Sequence, residues 1–125
     1  MPFDDDQRVR DWLRDIAEWA DRCGRHIARL DYETFARDEK ALDAVSRCIE
    51  VVGTAAKNVL DKSPDIEMRY PELELRRAYA TRIRLAHAYR DIDPKVLWAT
   101  AIESVPASGQ AARRVLAALH PDPEG

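Results

Sequence analysis

The sequence predicts an all-α fold, an antiparallel bundle of about five helices forming one domain over residues 1–125. Three observations carry that prediction. Apolar residues recur at three- and four-residue steps through most of the chain. Strand-like alternation and hairpin turns are missing from it. The gaps between the periodic segments hold helix punctuation, chiefly aspartates and prolines.

The first helix is expected from about Asp6 to Leu30. Val9, Trp12, Leu13, Ile16, Trp19, Ala20, Cys23, Ile27 and Leu30 make one apolar stripe, and the aspartates before it suit a helix N-terminus. Gly24 interrupts the stripe at a cost of roughly 1 kcal/mol relative to Ala. A turn and a short helix follow at Asp31–Phe35, with Asp31 and Asp38 as caps. A long helix is expected from about Lys40 to Asp61, its apolar side built from Leu42, Val45, Ile49, Val52, Ala56 and Val59. At about 100° per residue, Arg47, Glu50, Thr54, Lys57, Asn58 and Asp61 gather on the other side. Ser63-Pro64 and Tyr70-Pro71 bracket a loop, and a helix from about Glu72 to Arg90 comes next. Asp93 as N-cap and Pro94 in the first turn start a further helix. Pro106 is expected to break it, leaving a last helix at Ser108–Leu119 and a disordered tail at about 120–125.

Composition narrows the class. Hydrophobic residues at 46% and charged residues at 34% exclude a disordered acidic tail or a collagen-like repeat. No apolar run approaches the ~18 residues of a membrane span. The start, Met1-Pro2-Phe3 and then three aspartates, lacks a signal peptide's basic and apolar regions, so a cytoplasmic protein is expected. Cys23 and Cys48 form no CxxC pair and read as small buried hydrophobes rather than metal ligands. No metal and no cofactor is expected.

The net charge is −3, yet Leu75–Arg90 holds Arg76, Arg77, Arg82, Arg84, Arg90 and His87 with no Asp or Glu. Such a stretch is either the footprint of a phosphate site or a solvated helix face paired with carboxylates elsewhere. Within it, Arg82-Ile83-Arg84-Leu85-Ala86-His87-Ala88-Tyr89 has the form Arg-x4-His-x-Tyr. Upstream, Arg47-Cys48-Ile49-Glu50-Val51-Val52-Gly53-Thr54-Ala55-Ala56-Lys57 and Tyr70-Pro71-Glu72-Leu73 precede it, and Asp93 and Trp98 follow.

In this order and spacing, from about Arg10 to Trp98, the chain resembles HepT, the toxin half of the HEPN/MNT toxin–antitoxin pairs. The resemblance implies a HEPN-type bundle that forms a homodimer, its two motifs facing one cleft. It implies a metal-independent endoribonuclease in which His87 is the acid/base and Arg82 clamps phosphate, with Arg84, Arg47 and Glu50 lining the same RNA-binding cleft. Those residue types suit the chemistry. Histidine gives or takes a proton near neutral pH, and arginine keeps its charge and matches two phosphate oxygens with a planar fork. The resemblance further implies an MNT-type nucleotidyltransferase antitoxin that transfers AMP to Tyr89, setting an anion beside the arginines that would hold RNA.

Two positions depart from the family pattern. Ile83 stands where a polar residue, usually Asn, follows the motif arginine, and Thr54 stands where a glutamate is common. Ile cannot hydrogen-bond a phosphate or orient a histidine. A second reading therefore stays open: a catalytically silent helical module that pairs with a nucleotidyltransferase or holds nucleotide or RNA. On an ideal helix Arg82 and His87 also lie about 140° apart, whereas Arg84 and His87 are near neighbours. Either the helix is distorted at Arg82 or the arginine reaches around it.

Overall fold

A computed structural model describes residues 7–88 and 91–119, and every described element is helical. The aspartates at positions 4–6, Tyr89, Arg90 and the expected tail at 120–125 lie outside the described residues. No described helix is long and apolar enough to cross a membrane.

Helix α1 (Gln7–Ile27) buries Val9, Leu13, Ile16, Ala17, Ala20, Cys23 and Ile27, the core of the stripe seen in the sequence. Asp31 then caps α2 (Tyr32–Ala36) by accepting from the Thr34 N–H at 2.8 Å. Asp38 caps α3 (Glu39–Lys62) by accepting from Ala41 N–H at 3.0 Å. Both aspartates satisfy N–H groups that a helix start leaves without partners. The loop after α3 contains one more short helix than expected, α4 (Ile66–Arg69), followed by a 3₁₀ turn over Pro71–Leu73.

Helix α5 runs from Leu75 to His87. Its start falls later than the sequence suggested, because Pro71 drives Glu72 into the 3₁₀ turn and Glu74 turns left-handed at φ 45°. Glu74 provides no side-chain cap. Glu67 of α4 does so from a distance: its carboxylate accepts from Arg76 N–H at 2.9 Å and pairs with the Arg76 guanidinium at 3.2 Å.

Pro106 does not break the last part of the chain. Asp93 accepts from Lys95 N–H at 2.9 Å and starts α6 (Pro94–Ala99). A π turn over Thr100–Ser104 leads without interruption into α7 (Val105–Ala118), with Val105 N–H bonding Thr100 C=O five residues back. Pro106 has no N–H to give, and the wider turn before it makes room for its ring.

The helices pack antiparallel around a core of two lobes. One lobe joins Val9, Leu13 and Ile16 of α1 to Val52, Ala56 and Val59 of α3, Val115 of α7, Leu73 of the 3₁₀ turn and Leu75 at the start of α5. The other joins Cys23 and Ile27 to Phe35, Val45, Cys48, Leu97 and Val105. Trp98 fixes α6 over α2, its ring 5.1 Å from Phe35 and 6.3 Å from Tyr32. Cys23 and Cys48 are both buried free thiols, as expected, and the hydrogen bond between them, then burial, pushes the Cys23 thiol far up from its ordinary value. α5 rests on α3 alone over most of its length, so one flank of it stays open. That flank carries Arg84 and His87, while Arg82 faces α3.

Candidate active site

The basic stretch on α5 divides into two halves with different roles. Arg76 is held by Glu67, and Arg77 pairs with Glu74 at 3.2 Å. For these two, the paired helix face is the correct reading. Arg82 and Arg84 have no ion-pair or hydrogen-bond partner among the described residues.

Arg82 is half-buried and turns towards α3. Its stem lies over Gly53: a Cβ placed there would stand 2.4 Å from Arg82 Cβ and 3.1 Å from its Cδ. The Arg82 Nε is buried and unbonded among the described residues. The side chain lines a surface cavity between α3 and α5 together with Ser46, Glu50, Leu85, Ala86 and Ile92. An anion entering there would meet a guanidinium that the fold has not already neutralised.

Glu50 does not take up that charge, because its carboxylate pairs with Arg47 one turn earlier on α3. The Arg47 guanidinium also lies 5.9 Å from the Trp19 ring of α1, near Arg22 at 4.3 Å from the same ring. Glu50 and Arg47 line a second groove, between α1 and α3, with Trp12, Asp15, Thr54 and Asn58. Glu50 thus stands on the ridge between the two depressions. Asp15 in that second groove has its carboxyl raised above its ordinary range, by burial first and then by Glu18 and Asp11. The remainder of the polar stripe on α3 is a solvated pair, Lys57 with Asp61.

His87 and Arg84 are both exposed in the last turn of α5. They share a face, as their three-residue spacing requires. His87 is not among the residues lining the Arg82 cavity. α5 is α-helical from Arg82 to His87, so distortion does not bring the two together. Instead Arg82 points in towards α3, and His87 points out, about 7.5 Å further along the axis. Ile83 between them is half-buried. Of the residues singled out in the sequence, the structure brings Arg82 and Glu50 to one cavity, sets Arg47 with Glu50 in the neighbouring groove, and leaves Arg84 and His87 exposed further along α5. Tyr89 lies outside the described residues.

The sequence reading missed Ser46, and it quoted Gly53 in the family-like segment without giving it a role. Ser46 adjoins Arg47 and precedes Glu50 by one helical turn, which was the available signal for its place in the cavity. Gly53 sits inside a long helix, where glycine costs about 0.5–1 kcal/mol relative to Ala. A glycine kept there points to a close helix approach.

An all-helical bundle with an Arg-x4-His run at the open end of one helix, flanked by a polar helix, defines a HEPN-type protein. Comparison with known proteins specifies the family. The model of the family described as "Ribonuclease HepT-like" matches residues 16–115. A protein of Thermococcus cleftensis named "Probable ribonuclease HepT" is 35% identical over 98 residues, covering 78% of this chain and 86% of that one. Two proteins of Methanocaldococcus jannaschii, each named as a candidate RNase, are 31% identical over 98 residues, covering 78% of this chain and 78% and 82% of theirs. No solved structure matches the chain significantly. The chain belongs to the HepT-like ribonuclease family.

Proposed function

We propose that the protein is the toxin of a type II toxin–antitoxin pair, a metal-independent endoribonuclease working through Arg82 and His87. The observation that carries this reading is the state of Arg82: a guanidinium without a carboxylate partner among the described residues, facing a surface cavity, with the exposed His87 five residues further along the same helix. The names of the relatives support RNA as the substrate.

In this reading a phosphodiester lies against Arg82, and Arg84 binds a neighbouring phosphate of the RNA. A neutral His87 takes the proton from the 2′-hydroxyl as the 2′-oxygen attacks phosphorus. The bond from phosphorus to the 5′-oxygen breaks, and a protonated imidazole gives its proton to the leaving oxygen, closing a cyclic phosphate. Base and acid are two imidazoles in different protonation states, and a homodimer with both motifs facing one cleft supplies them. The outward placement of His87 in a single chain favours that arrangement. Neutralisation follows when an MNT-type nucleotidyltransferase transfers AMP to Tyr89, putting phosphate where the arginines would hold RNA.

Ile83 favours a second reading, a silent module that still pairs with the nucleotidyltransferase, because a half-buried Ile offers no hydrogen bond to phosphate or histidine. Growth on induced expression separates the two, comparing the parent with His87→Ala and Ile83→Asn. Arrest by the parent that His87→Ala abolishes supports the nuclease. Arrest only from Ile83→Asn supports a scaffold disabled at one position, and arrest from none overturns the toxin reading. A mass gain of AMP on incubation with the nucleotidyltransferase and ATP, lost in Tyr89→Phe, tests the neutralisation step.

A further inference from the structure

We propose that Gly53 is a positioning residue: by carrying no side chain it sets how closely α5 lies on α3, and so where the Arg82 guanidinium stands. The inference rests on the reading of Arg82 as the phosphate clamp. A Cβ at position 53 would fall 2.4 Å from Arg82 Cβ, 3.0 Å from the Ala78 carbonyl oxygen and 3.1 Å from Arg82 Cδ. The first two of these atoms are fixed by the α5 backbone and cannot swing aside as a side-chain tip would. Any residue other than glycine therefore forces α5 off α3. The atom displaced most directly belongs to Arg82 itself. That side chain has its Nε buried between the helices and reaches the cavity shared with Ser46 and Glu50.

Close packing alone does not make a positioning residue, and the molecule contains its own control. Gly109 of α7 meets α1 in the same manner, a Cβ there falling 2.5 Å from Ala20 Cβ, but none of the cavity's lining residues is involved. Both glycines serve helix approach, and only Gly53 does so through a motif residue.

The test compares Gly53→Ala, Gly109→Ala, Arg82→Ala and the Gly53→Ala/Arg82→Ala double variant for RNA cleavage, with thermal midpoints alongside. Gly53→Ala is expected to lower kcat by about tenfold to a hundredfold, the range for an active group misplaced by about 1 Å. Gly109→Ala is expected to stay within about twofold once folded. In the Arg82→Ala background Gly53→Ala is expected to add less than about twofold, since residues acting as one unit are not additive. Equal losses in both glycine variants, or multiplying losses in the double variant, would overturn the proposal.

A second arm needs no nuclease activity. Nitrogen-resolved NMR of the arginine Nε–H groups should show an exchange-protected Arg82 signal, assigned by its loss in Arg82→Lys. Gly53→Ala should move that signal and speed its exchange. An unmoved Arg82 signal overturns the proposal even if activity falls. A parent that cuts no RNA removes the nuclease reading and leaves this arm to decide on Gly53.

Discussion

Arg82 crosses Gly53 at the tightest helix contact near the motif, its Cβ 2.4 Å from where a Cβ at position 53 would stand. The same chain contains a glycine in the opposite situation. Gly24, inside α1, has no atom within 4 Å of the place its Cβ would occupy.

Gly24→Ala should therefore stabilise the protein, by about 0.5–1 kcal/mol from helix propensity and backbone entropy alone. For a domain of this size that is a rise of about 2–4 °C in Tm, read by circular dichroism or calorimetry. A fall in Tm would show that Gly24 meets something the single chain does not contain.

Glu67 holds the first turn of α5, accepting from Arg76 N–H and pairing with its guanidinium. Glu67→Ala removes both and should cost about 1–2 kcal/mol, the range for loss of a helix cap. The Arg76→Ala variant keeps the backbone bond and loses only an exposed ion pair, so it should cost under about 1 kcal/mol. Urea unfolding of the two variants checks the order, and equal costs would mean that the ion pair, not the cap, carries the interaction.

Asp15 supplies a pH test. Its carboxyl is raised by burial, then by Glu18 and Asp11, so the folded state binds its proton more readily than the unfolded chain does. Stability from this group is present below the ordinary carboxyl range and is lost as pH rises through the raised folded value. At pH 7 the ionised Asp15 is a liability, and Asp15→Asn should raise Tm there. The advantage should shrink as the pH falls through the raised folded value and be gone below the ordinary carboxyl range, where Asp15 is protonated in both states. A difference that stays constant from pH 3 to pH 7 would place the effect in packing instead.

The two free arginines of α5 should differ in kinetic role. Arg82→Lys keeps one charge but loses the planar fork and the buried Nε, and should lower kcat by about 10²-fold, as removal of a transition-state donor does. Arg84→Ala, at an exposed position, should raise KM a few-fold, with a difference that fades as salt approaches about 1 M. Steady-state kinetics on one RNA at two salt concentrations separates them. A salt-insensitive Arg84→Ala defect would give Arg84 the inner role.

Much of the fold is local, and so was legible along the chain. The stripe Val9–Ile27 was readable because a helix repeats its buried face every three to four residues. Asp31, Asp38 and Asp93 were readable because a cap acts on N–H groups two or three positions away. The motif and the segments around it were legible as a pattern, and that pattern led to the family.

What only the tertiary structure decided involves contacts between residues far apart in sequence. Whether a given arginine of α5 is spent or free depends on carboxylates placed by other turns: Glu67 takes Arg76, while Glu50 is taken by Arg47 and leaves Arg82 open. Pro106 looked like a break because a proline reads as one locally, and a π turn absorbed it. Gly53 was legible in the sequence only as one residue of the family-like segment on the long helix, and α5 lying on it gives it a physical role. Its meaning comes from Arg82 and Ala78, which lie more than twenty residues away along the chain and touch it only when two helices pack.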